Sequence, residues 1–130
     1  MTPRYIYISE FGSKFYYKDK DMKIPHREDG PAVEYADGEK AWYINGKRHR
    51  EDGPAVEYAD GFKMWCINGN LHREDGPAIE YANGGKDWYI NGQRISEQDF
   101  LKRTAPEIVL TMDEIAAKLG IEVSKLKIKK

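Results

Sequence analysis

The chain has 130 residues, 40% of them apolar and 33% charged, with nine Tyr, three Trp and four Phe, enough for one domain with an aromatic-rich core. Its 21 Lys and Arg against 22 Asp and Glu leave a formal charge of −1, which excludes an overall electrostatic pull toward nucleic acid or an anionic membrane. The lone cysteine, Cys66, excludes an internal disulfide framework and fits a reducing compartment. MTPRYIYISEF has no apolar leader, and no apolar run reaches membrane-spanning length, so a soluble, cytoplasmic protein is expected.

Residues 1–25 read as a degenerate capping repeat. FGSKFYY, from Phe11 to Tyr17, aligns with DGEKAWY further on, and Tyr5 to Ile8 forms its partner strand. Residues 26–95 hold three copies of one 23-residue unit, starting at His26, His49 and His72, with 16 of the 23 positions identical in all three. A fixed period of this length predicts a stacked array in which each unit buries apolar surface against its neighbours.

Each unit carries an Asp-Gly or Asn-Gly signal (Asp37-Gly38 in the first) and a second, invariant Asn-Gly (Asn45-Gly46), both suited to hairpins. Each unit is expected to hold two antiparallel strands plus a longer Asn-Gly-to-Asp-Gly loop, so four hairpins would give eight strands spanning about 35–40 Å. Residues 96–130 form a cap: a helix from Ser96 to Arg103, a strand over 107–110, a helix opened by Thr111 and Glu114, and a last strand over 121–128. The fold class expected is therefore mainly β, an antiparallel β-meander repeat array with a small C-terminal α+β cap, βαβ-like in form.

Taking Asp37-Gly38 as a two-residue turn sets Val33 opposite Trp42, Glu34 opposite Ala41 and Tyr35 opposite Lys40. One face then carries the nearly constant residues Val33, Tyr35, Lys40, Trp42 and Ile44. The other carries the variation: Glu39, Ala41 and Tyr43, then Phe62, Met64 and Cys66, then Gly85, Asp87 and Tyr89. A three-residue loop with a bulge at Gly38 would shift this register.

On this reading the constant face is scaffold and the varied face is specific. The candidate partner-binding residues are Tyr43, Phe62, Met64, Cys66 and Tyr89, together with the loop residues Arg50, Glu51, Asp52, Arg73, Glu74 and Asp75. No catalytic set emerges. His26, His49 and His72 lie roughly 10 Å apart across two strands, whereas zinc ligands sit about 2 Å from the metal, so no metal site and no cofactor are expected. The glycines lack the strand–loop–helix context of a phosphate cradle, and too few residues follow Ile121 for a recognition helix.

The 23-residue period, the aromatic-Gly turns and the loop W-x-x-x-N-G-K-R-H resemble MORN repeats over residues 26–94 and more loosely over 1–25. Gly46 follows Trp42 by four residues where MORN units usually have three, and Glu51 and Asp52 stand near the usual glycine pair. The resemblance implies hairpin meanders that serve as assembly and docking surfaces. HREDGPA and the tail TMDEIAAKLG also resemble small repeat proteins of tailed phages. That likeness implies a phage-encoded protein acting in the host cytoplasm by binding a host factor, antiviral defence components among them.

Two functions follow as expectations. The first is a non-enzymatic interaction protein that binds and inhibits a host protein. The second is sequestration of a nucleotide-like molecule between Trp42, Trp65 and Trp88 and the repeated Arg27, Arg50 and Arg73, whose guanidinium groups suit phosphate. A purely structural scaffold or a homodimer joined at exposed strand edges is a further alternative.

Overall fold

The computed structural model describes residues 4–104 and 110–119. In chain order the strands are β1 (Tyr5–Ile8), β2 (Lys14–Tyr17), β3 (Val33–Glu34), β4 (Lys40–Ala41), β5 (Tyr43–Ile44), β6 (Lys47–Arg48), β7 (Val56–Glu57), β8 (Lys63–Met64), β9 (Cys66–Ile67), β10 (Asn70–Leu71), β11 (Ile79–Glu80), β12 (Lys86–Ile90) and β13 (Gln93–Ile95). Two helices follow, α1 (Glu97–Thr104) and α2 (Met112–Leu119). One nine-stranded antiparallel sheet runs β1-β2-β3-β4-β7-β8-β11-β12-β13, and β5–β6 and β9–β10 form separate two-stranded ribbons. The protein is mainly β, an antiparallel meander with short C-terminal helices.

Each unit therefore folds as a hairpin plus a ribbon, not as one hairpin and a long loop. The chain changes partner at the tryptophan. Trp42 donates its N–H to the Ala55 carbonyl (2.7 Å) on the sheet side, and its carbonyl accepts from His49 N–H (3.0 Å) on the ribbon side. Successive ribbons are tied to each other: Gly69 N–H donates to Arg48 O and Gly92 N–H to Leu71 O, both at 2.8 Å. The Asn-Gly dipeptides, expected to open a long loop, instead form two-residue hairpin turns, with Asn45 at φ 50°, Gly46 at φ 80° and Ile44 paired with Lys47.

The Asp-Gly turns are not two-residue loops. Tyr35 N–H donates to Glu39 O (2.8 Å), Gly38 N–H donates to Tyr35 O (3.0 Å), and Gly38 takes φ 99°. This is a three-residue loop closed by a glycine bulge. Val33 consequently pairs with Ala41 and Glu34 with Lys40, one residue away from the expected register.

A one-residue slip reverses a strand's faces, so the division into a constant face and a varied face does not hold. One row now crosses seven strands as Phe15, Val33, Ala41, Val56, Met64, Ile79 and Asp87, mixing constant and varied positions. Val33, Ala41 and Val56 are buried there, with Phe15, Tyr43 and Met64 packed against them. On the opposite face the neighbouring row alternates in charge: Lys14, Glu34, Lys40, Glu57, Lys63, Glu80, Lys86. The glutamates of this row meet the repeated arginines, Arg27–Glu34 at 3.8 Å, Arg50–Glu57 at 3.5 Å and Arg73–Glu80 at 3.7 Å. Trp42 belongs with the charged row, not with Val33.

At the N-terminal end, β1 and β2 pair as the expected hairpin, Tyr5 opposite Tyr17, and Tyr16 stands where later units have tryptophan. At the other end Ser96 caps α1, its Oγ accepting from Asp99 N–H (3.1 Å), and Thr111 caps α2 through Glu114 N–H (3.1 Å). The expected strand over 121–128 and all but Leu110 of the strand over 107–110 lie outside the described residues. Leu110 itself is not in a strand.

Candidate interaction surface

The repeated His-Arg-Glu-Asp-Gly-Pro loop is occupied with its own neighbours. Arg50 Nε meets Asp52 Oδ1 at 2.9 Å, its Nη1 donates to the Pro54 carbonyl at 3.0 Å, and its Cζ lies 3.8 Å from the centre of the Trp42 ring. Arg73 repeats this over Trp65 at 3.8 Å and Arg27 over Tyr16 at 4.1 Å. The glycine repeated in each unit makes room: a Cβ on Gly53 would come 2.9 Å from Arg50 Cζ. Each guanidinium thus reaches one unit back and covers the ring there. The last ring, Trp88, has no later repeat, and Phe100 of α1 meets it instead at 6.5 Å.

Each histidine is equally engaged. His49 Nδ1 accepts from Asn68 N–H at 3.0 Å, as His26 does from Asn45 and His72 from Asn91, both at 2.9 Å. The ring proton is therefore assigned to Nε2, 3.5 Å from Glu51. Replacing His49 by alanine leaves the Asn68 N–H without its acceptor. The expected loss is about 1–2 kcal/mol of unfolding free energy, read from urea midpoints. Among the described residues no three His, Cys, Asp or Glu side chains gather as a metal-ligand set.

Of the candidate nucleotide-binding residues, Arg27, Arg50, Arg73, Trp42 and Trp65 are thus committed to contacts between units. Of the candidate loop residues, Glu51, Asp52, Glu74 and Asp75 stay exposed while Arg50 and Arg73 are largely covered.

The opposite face carries an open aromatic groove. Tyr58 and Phe62 have ring centres 5.1 Å apart, and Phe62 and Tyr81 5.7 Å. Together with Arg48, Val56, Asp60, Met64, Ala82 and Asn83 these rings line a cavity of about 440 Å³. Tyr58 and Tyr81 are 43% and 40% exposed, and the equivalent Tyr35 is 42% exposed beside Phe15. At the far end Asp87 closes the row by accepting from Tyr81 OH (2.7 Å) and Arg94 (2.9 Å). The Tyr81 hydroxyl and Arg94 hold its carboxyl below the usual carboxylate range.

Only two of the five strand residues singled out from sequence, Phe62 and Met64, line this groove. Tyr43 packs on the core and accepts from Arg48 Nε at 3.4 Å. Tyr89 pairs with Arg94 in the last hairpin. Cys66 is 2% exposed, so it is no part of a surface patch, and burial pushes its thiol pKa up. Tyr58, Tyr81 and Arg48 were missed. Their signal lay in the glycine bulge, which carries the tyrosine of each unit round to the side of Phe62.

In comparisons with protein-family models, curated proteins and solved structures, nothing matches this chain. Among the described residues no helix is long and apolar enough to cross a membrane.

Proposed function

We propose that the protein is a non-catalytic interaction module whose aromatic groove receives an apolar anchor from a protein partner. One observation carries the reading. Where the first and third units have Glu39 and Gly85, the middle unit places Phe62, flanked by two half-exposed tyrosines. Glu and Gly at the equivalent positions show that the hairpin does not need a large ring there. Aromatic rings and Arg48 around a concave spot, with Asp60 and Asn83 supplying polar groups beside them, match the composition of a binding hot spot.

The resemblance to MORN arrays and to small phage repeat proteins supports a docking role and, more narrowly, inhibition of a host protein in the host cytoplasm. The nucleotide alternative is the weaker one, because a phosphate would have to displace Asp52 and the Pro54 carbonyl from Arg50.

The test is co-purification from host-cell lysate with the wild type, Phe62→Ser and, on the opposite face, Lys63→Ser. The proposal expects a stoichiometric protein partner with the wild type and Lys63→Ser, and none with Phe62→Ser at an unchanged melting temperature. A partner that Phe62→Ser retains, or no partner beside a nucleotide-dependent rise in melting temperature, would overturn it.

A further inference from the structure

The two ends of the nine-stranded sheet differ in kind. β13 is three residues long, carries Gln93 and Arg94, and runs into α1. Short, polar, helix-bounded edges resist pairing with another chain. β1 is the opposite: Tyr-Ile-Tyr-Ile, with no charge and no proline, and with Ile6, Tyr7 and Ile8 exposed by 48%, 49% and 59%. Phe11, in the turn that follows, is 80% exposed.

The hydrogen-bond phase of β1 decides what its outer side offers. Ser9 N–H donates to Ser13 O at 2.9 Å, in the same register as Tyr7 opposite Phe15 and Tyr5 opposite Tyr17. Bonded and non-bonded pairs alternate along an antiparallel ladder. Tyr5 and Tyr7 therefore bond inward to β2, while Ile6 and Ile8 present their N–H and C=O groups outward. Tyr16, opposite Ile6, confirms the phase, since its own N–H donates away from β1 to Ala32 O at 2.7 Å. Among the described residues no strand pairs with that outer side.

We infer that β1 joins two copies of this chain edge to edge, antiparallel, about a two-fold axis. The strand is its own complement. With Tyr7 opposite Tyr7 of the second copy, each Ile6 faces the other copy's Ile8, and the four isoleucines gather on one face with the four tyrosines on the other. A head-to-tail contact of β1 on β13 would build open filaments, and the polar, α1-bounded β13 disfavours it. The symmetric contact closes at two chains and yields one continuous 18-stranded sheet. The aromatic groove begins four strands from this edge, about 19 Å away, so both grooves stay open.

The test is sedimentation equilibrium of the full chain across the micromolar range. The wild type should approach twice the 15.0 kDa of one chain. Ile6→Pro removes an outward N–H without touching the inward bonds of Tyr5 and Tyr7, and should halve the mass while leaving the circular dichroism spectrum unchanged. Ile8→Lys, which alters no backbone donor, should do the same and covers the case in which proline unfolds the first hairpin. A wild type that stays at one chain throughout, or a dimer that survives both substitutions, would overturn the inference. Neither result bears on the Phe62 groove.

Discussion

Arg50→Ala is expected to cost about 3 kcal/mol of unfolding free energy. About 1–2 kcal/mol comes from lost stacking on Trp42 and a similar amount from the Pro54 carbonyl losing a charged donor. The Asp52 pair adds little, since that carboxylate is 86% exposed. Arg50→Lys should recover less than half of the loss, because an ammonium cannot lie flat on the indole while also reaching the carbonyl and the carboxylate. Urea titrations followed by tryptophan emission would measure both. Full recovery by lysine would mean that charge alone, not the planar fork, holds the joint.

Phe100→Ala should be comparably damaging but local in effect, at about 3 kcal/mol. Phe100 is 4% exposed, and truncating a buried aromatic leaves a cavity over Trp88. In an array where each unit touches only its neighbours, damage at one end propagates weakly. Hydrogen exchange should therefore speed up across β12 and β13 and stay unchanged in β3 and β4. A uniform loss of protection along the chain would show that the sheet unfolds as one body.

The two-residue form of the Asn-Gly turns was not legible, since the dipeptide also suits the start of a longer loop, whereas the first hairpin of Tyr5–Ile8 with Lys14–Tyr17 and the start of α1 at Ser96 were legible in the sequence. Each rests on chemistry local to a few residues. The register of the main hairpins was not, because Asp-Gly suits both a two-residue loop and a three-residue loop with a bulged glycine. Choosing between them moves Trp42 from the side of Val33 to the side of Lys40. The groove was half visible for the same reason: Phe62 and Met64 stood out by their variation, but Tyr58 and Tyr81 looked like scaffold. That the His-Arg-Glu-Asp loop makes its own local ion pairs was legible, as Arg50–Asp52 at 2.9 Å shows, but the stacking of Arg50 on Trp42 was not, because that ring belongs to the previous unit.

The joints of the array use the same parts: a guanidinium over the preceding ring, and an Asn-Gly amide donating to the segment before it, Pro25 in the first and a ribbon in the next two. A gene duplication of one whole 23-residue unit would find each donor and acceptor already waiting, and would lengthen the sheet by two strands, about 10 Å. A duplication whose length is not a multiple of 23 residues would set arginine against the wrong side chain. The molecule is built to grow in discrete steps, keeping both of its ends while changing its reach.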